Sequence, residues 1–228
     1  MKKRRIFRNL NDKEFAWVLY DVGNSAYTML ACALIPIWFK AMAIGTKPGQ
    51  LTSDRATAYY SMAIAVITIV VALLGPVCGA ISDYKGMKKI FFTSTVAVGV
   101  CGCILNGFAC QWIVFLLLFA ATKIFYNMSL MFYDSMLNDI TTEERMDEVS
   151  SYGYAWGYLG SCIPFLIALV AYVLGPDMAG IISGKLSMAI GFAVTGLWWL
   201  LVTVPLIKNY KQINYVEKKE HAVRSAFR

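Results

Sequence analysis

Apolar residues run along this chain in six long blocks, each closed by a short polar or charged break. The blocks are Phe15–Phe39, Ala56–Ile81, Ile90–Phe108, Trp112–Leu137, Gly153–Leu174 and Leu186–Leu206. A helix needs about 20 mainly apolar residues to cross the hydrocarbon of a bilayer. Each block therefore predicts a transmembrane helix. The first follows a basic stretch, Met1 to Arg5, that imitates a signal-peptide head, and Ala31, Cys32 and Ala33 imitate a cleavage site. Asp21 and Asn24 interrupt the apolar run, and no soluble domain follows, so this block reads as a retained first helix.

Composition agrees. Hydrophobic residues make up 58% of the 228 and charged residues 15%, against roughly 25% charged in an ordinary soluble domain. The mean hydropathy is +0.57. A soluble globule of this composition would expose large apolar patches. The disordered, collagenous and disulfide-stapled classes are excluded as well. The fold class expected is an all-α membrane protein of six transmembrane helices.

The net charge of +7 raises nucleic acid as a partner, but the basic residues flank the apolar blocks, where they orient a chain in the membrane. With the N-terminus inside, 16 Lys or Arg fall on the inner side, among them Lys2, Lys3, Arg4, Arg5, Arg8, Lys85, Lys88, Lys89 and Arg145. Only Lys40, Lys47, Arg55 and Lys185 fall outside, and Lys123 is left within a block. Both termini are then expected in the cytoplasm, and the bilayer, not nucleic acid, is the partner. The division is a basic cytoplasmic head (1–14), a six-helix bundle (15–207) and a cytoplasmic linker or tail (208–228). The short break near Cys110 predicts an antiparallel hairpin of the third and fourth helices. Thr141 and Glu144 have the spacing of a capping box, which predicts a short surface helix. Around it, Asp139, Glu143, Glu144, Asp147 and Glu148 form an acidic segment, either solvated or latched to the basic second inner loop.

Candidate chemistry is narrow. The six cysteines lie in or beside apolar blocks and form no disulfide framework. Cys101 and Cys103 are two apart and point to nearly opposite faces of a helix. The one histidine, His221, lies in the charged tail. There is no Ser–His or Cys–His pair, no metal-ligand pattern and no phosphate loop. No enzyme, metal or cofactor is expected.

The informative residues are polar ones inside the blocks, where they are costly and usually face a bundle interior or a water-filled cavity. In the first block Asp21, Ser25, Thr28 and Cys32 fall within roughly 40° of one another, with Asn24 at the edge. In the fourth, Lys123, Asn127, Asp134 and Asn138 fall within roughly 60°. Both stripes are expected to line a shared polar interior. At about 1.5 Å per residue, Lys123 lies near the midplane, with Asp21 about 10 Å and Asp134 about 16 Å nearer the cytoplasm. A direct Lys123–Asp21 pair is too long, whereas Asn24 and Asn127 match in depth. Each has a bland reading too: Lys123 snorkels or meets a helix-end carbonyl, the two asparagines bond between helices, and Asp21 serves structure. In the fifth block Gly153, Gly157 and Ser161 form a small-residue ridge for close helix approach, with Trp156 and Tyr158 as interface or cavity aromatics.

Between the second and third blocks stand Gly79, Asp83, Lys85, Gly86, Lys88 and Lys89. This run resembles the loop signature of the major facilitator superfamily, with Tyr84 in place of an arginine and Met87 in place of a basic residue. Gly79 would allow close helix packing, Gly86 a tight turn, and Asp83 would face a helix N-terminus or a basic side chain. Three further stretches narrow the resemblance: Trp17 to Tyr27, Phe132 to Ile140, and Glu144 and Arg145 leading to Gly160. Together they resemble the vacuole-effluxer-like family, the branch of the autophagy-related amino-acid exporter. Asp134 departs from an expected asparagine and Asn138 from an expected proline. Asp134 is thus a candidate for proton coupling, or for pairing with Lys85 or Lys88.

The resemblance implies half of a twelve-helix transporter, with residues 222–228 resembling the linker before a seventh helix. The function expected is secondary active transport of a small polar solute, by resemblance an amino acid, through alternating access. Lys123, Asn127, Asn24, Asp21, Ser25 and Thr28 would line this half of the site. Gly79, Asp83, Lys85, Gly86, Lys88, Lys89 and Arg145 would form a conformational latch. The partner implied is a second six-helix half, from the same chain continued or from a homodimer. The alternative is a non-transporting six-helix module that scaffolds or regulates a partner. The expected setting is the bacterial inner (plasma) membrane.

Overall fold

A computed structural model describes residues 9–176 and 178–217. The basic residues before position 9, His221 and the linker-like stretch 222–228 lie outside the described residues. Among the described residues six helices run α1 (Asp12–Ala43), α2 (Ser53–Ser82), α3 (Met87–Asn106), α4 (Trp112–Ile140), α5 (Glu143–Val173) and α6 (Gly184–Asn209). All six are long and apolar enough to cross a membrane. The chain is an all-α, multi-pass membrane protein.

Several helices outrun their apolar blocks. The 32 residues of α1 rise about 48 Å at 1.5 Å per residue, more than the roughly 30 Å of hydrocarbon. The extra turns carry the polar contacts at one end of the bundle. Pro36, Pro76, Pro164 and Pro205 lie inside helices, as a membrane bundle tolerates where neighbouring groups re-satisfy the freed carbonyls.

The packing is centred on α1, which lies against α5 and α6 most extensively. The third and fourth helices form the expected hairpin, and α3 also meets α6. Aromatic rings fill the centre: Tyr27 stacks on Trp199 at 5.8 Å, and Tyr126 meets Trp199 edge-on at 5.6 Å. The second helix is peripheral, with Met62, Val66, Ile69 and Leu73 exposed. Cys101 is exposed and Cys103 buried, on opposite faces of α3.

Two local expectations are corrected. The short surface helix predicted at Thr141 is the first turns of α5, continuous with the fifth span. Its N-cap is Thr142, with no side-chain cap bond. The Thr141 hydroxyl goes to Glu14 Oε1 instead, at 2.7 Å. A capping box does exist, at the start of α1, where Asn11 Oδ1 accepts from the Glu14 amide and Glu14 Oε2 accepts from the Asn11 amide.

Candidate functional site

A cavity of about 460 Å³ opens between α1, α4 and α5. From α1 it takes Trp17, Asp21, Asn24, Ser25, Thr28 and Met29, a row of residues three and four apart. From α4 it takes Leu130, Tyr133, Asp134 and Leu137, and from α5 Ser150, Tyr154 and Tyr158, again one turn apart. Four of the six residues expected to bind substrate are therefore brought together, and Asp134 joins them.

The small-residue ridge of α5 is what brings α1 close. A Cβ on Gly157 would stand 3.0 Å from both Asp21 Oδ2 and Ser25 Oγ. A Cβ on Gly153 would meet Trp17 at 3.0 Å and Asp21 Oδ2 at 3.3 Å. Ser161, the third ridge position, is fully buried and donates to Met29 Sδ at 3.0 Å. The next row of α5, Tyr154 and Tyr158, then lies along the cavity. Asn24, buried beside it, donates from Nδ2 to Asp21 Oδ1 at 3.1 Å. The Trp17 indole stacks on Tyr133 at 4.3 Å and donates to the Tyr133 carbonyl at 3.1 Å.

Lys123 and Asn127 are not among the cavity's lining residues. The fourth helix packs chiefly on α3 and α2, and from this stripe only Asp134 borders the cavity. The Lys123 ammonium lies over the rings of Tyr126 at 4.5 Å and Tyr27 at 5.7 Å. Its neighbours are π-faces, the arrangement of a cation–π contact. Thr28 is hydrogen-bonded to the Tyr126 hydroxyl, which ties the cavity to that aromatic group. Asp134 pairs with neither Lys85 nor Lys88, because both lysines are held elsewhere.

The candidate latch residues split into two clusters. In the first, Gly86 has φ +77 at the N-cap of α3, a left-handed turn that glycine adopts without steric cost. The buried Lys88 ammonium stands 3.7 Å from Asp83 Oδ1 and 3.8 Å from Asp139 Oδ2. It also donates to the Ser135 carbonyl at 3.3 Å. Asp139, whose side chain is fully buried, accepts from the Tyr210 hydroxyl at 2.6 Å and from the Ile213 and Asn214 amides at 3.2 and 2.7 Å. Lys85 lies over the Tyr215 ring at 5.3 Å, Lys89 reaches the Tyr210 carbonyl at 3.4 Å, and the Val216 amide donates to the Asp83 carbonyl at 2.9 Å. The stretch 210–216 thus straps the α2–α3 loop to the end of α4. Burial, and then the Asp139 carboxylate, push the Tyr210 phenol well above its ordinary pKa, so it remains a donor.

Arg145 belongs to the second cluster. It donates to both oxygens of the buried Glu14 at 3.1 Å and to the Asn9 carbonyl at 2.6 Å, so it joins α5 to α1 rather than to the basic loop. Gly79 does not mediate close packing: a Cβ there meets nothing within 4 Å. Tyr210 and Asn214 carry no local sequence signal, because their partners lie far away in the chain, and for Glu14 the Asn11–Glu14 spacing signals the capping box but not the distant Arg145. Tyr133 and Tyr154 are also absent from the sequence-predicted site, although Ser150, Tyr154 and Tyr158 repeat at the helical spacing.

The family model described as vacuole effluxer Atg22 like matches residues 138–227. An uncharacterized MFS-type transporter of Bacillus subtilis (strain 168), YxiO, is 34% identical over 226 residues, 98% of this chain and 52% of its own length. The chain is thus similar to the vacuole effluxer Atg22-like family over its C-terminal part and to an MFS-type transporter over nearly its whole length. It spans about half the length of this curated relative. No solved structure matches it.

Proposed function

We propose that the chain forms one half of a secondary active transporter for a small polar solute, with the α1–α4–α5 cavity as its share of the binding site. The observation that carries this reading is the cavity itself: Asp21, Asn24, Ser25, Thr28 and Asp134 border one space in a bundle of helices apolar enough to cross a membrane. Polar side chains are kept at such depth where they meet a solute, an ion or water. Transporters of this architecture bind between two halves that rock about the site. The second half comes from the same chain continued or from a second copy, and crosslinking in native membrane separates the two. By the positive-inside rule the end carrying Lys85, Lys88 and Lys89 faces the cytoplasm, of a bacterial plasma membrane by analogy with the bacterial relative. There the Lys88–Asp83–Asp139 cluster is the latch, and Asp134 is the proton-coupling candidate.

The test is solute counterflow in proteoliposomes holding both halves, with labelled small polar solutes, amino acids first. Saturable uptake that is lost in Ser25→Ala and Asp21→Ala supports the reading. If no solute moves in a correctly inserted protein, the chain is a non-transporting module.

A further inference from the structure

We infer that the group recognised in this cavity is a cation, the protonated amine of an organic solute. The inference rests on the transporter reading for its biological setting, not for its test.

The cavity borders two carboxylates, Asp21 and Asp134, and no Lys, Arg or His. Among the described residues the ion pairs join Lys88 to Asp83 and Asp139, and Arg145 to Glu14 and Glu148. Neither cavity carboxylate belongs to any of them. Lys123, the cation that the sequence pattern assigned to the same interior, lies over the Tyr126 and Tyr27 rings instead. The asparagine bond to Asp21 supplies a dipole, not a charge. Two carboxylates in a membrane bundle without a countercharge favour a positive ligand, because an unpaired buried charge is costly.

A second observation is independent of those charges. Tyr133 borders the cavity and is 3% exposed, yet its hydroxyl has no hydrogen-bond partner among the described residues. That oxygen and Asp21 Oδ2 are neighbours beside Gly153, 3.6 and 3.3 Å from where a Cβ would stand on it. An ammonium that meets Asp21 from the cavity would have the phenol oxygen close by as a second acceptor. Trp17, Tyr154 and Tyr158 add aromatic rings at the cavity wall, and π-faces favour organic cations as carboxylates do.

The test is thermal protection of the chain in lipid nanodiscs by n-butylammonium, n-butanol, butyrate and sodium, each at matched ionic strength. n-Butylammonium is expected to protect, and the other three to protect far less. Asp21→Asn and Asp134→Asn should each weaken its binding by about tenfold or more, the effect of removing one charge from a desolvated pair. Asp134→Glu should retain it, and Lys123→Met should leave it unchanged. Equal protection by butyrate or butanol overturns the inference, as does n-butylammonium binding unchanged in both asparagine variants. Protection by sodium equal to that by the amine assigns the site to an inorganic ion and also overturns it. Should the asparagine variants not fold, the four probes on the wild-type chain decide alone. Solute transport without amine binding removes this inference and leaves the transporter reading. Amine binding without transport does the reverse.

Discussion

The Tyr210 hydroxyl donates to the Asp139 carboxylate at 2.6 Å, joining the ends of two helices 71 residues apart in sequence. On the same carboxylate converge two backbone amides, the Asn214 side chain and the Lys88 ammonium. One buried anion therefore fixes the exit of α6, the end of α4 and the start of α3.

Removing that anion is expected to be expensive. Asp139→Ala leaves Lys88 buried with less compensation and should destabilise the protein by about 3–5 kcal/mol. Tyr210→Phe deletes a single hydrogen bond and should cost about 1–2 kcal/mol. Thermal unfolding of the two variants in the same detergent checks the ordering. Equal midpoints for Asp139→Ala and wild type would show that the strap does not carry stability.

Arg145→Lys should behave like Arg145→Ala rather than like wild type. Glu14 is buried and meets the arginine through both carboxylate oxygens. A lysine offers a point charge without the planar fork. A loss of about 2 kcal/mol is expected for either variant, read as a drop in unfolding midpoint.

The two glycines of the basic loop should respond in opposite ways. Gly86→Ala forces a β-carbon into the left-handed region and costs about 1–2 kcal/mol. At Gly79 the space beside the helix is open, so Gly79→Ala should lie within about 0.5 kcal/mol of wild type. A large effect of Gly79→Ala on the stability of the chain alone would contradict that open packing.

Gly157→Ala should damage the site more than the fold. Its new methyl would press on Asp21 Oδ2 and Ser25 Oγ at 3.0 Å, moving cavity groups. Gly160→Ala instead runs into Val22 Cγ1 and should destabilise the α1–α5 contact by about 1–3 kcal/mol. Ligand protection and unfolding, measured on both variants, should separate: binding lost in the first, midpoint lowered chiefly in the second.

Lys123→Met should keep its unfolding midpoint to within about 1 kcal/mol, since the cation–π attraction to the two rings is of that order and a costly desolvated charge leaves with it. A collapse of stability would reveal a partner for the ammonium beyond the two rings.

How much of this is legible in the sequence follows from the range of each interaction. The six spans read directly from apolar blocks, because hydrocarbon demands length and composition from each segment separately. The α1 stripe is legible for the same reason, since residues three and four apart share a face in any helix. The glycine ridge announces a close approach, and the structure names its partner as α1. The α4 stripe misleads in part: Lys123 shares an angular sector with Asp134, but that sector does not say which neighbour each residue meets along the helix.

The sequence by itself determined the membrane class, the number of helices, the hairpin and the basic end of the bundle, because hydropathy, charge and periodicity act locally or over whole segments. Only the tertiary structure decided that Asp21 and Asp134 border one cavity while Lys123 lies over aromatic rings, that Arg145 serves Glu14, and that residues 210–216 close over Asp139. Those outcomes depend on how the helices are rotated and tilted against one another. That is settled by side-chain packing between segments far apart in the chain, which no local pattern encodes.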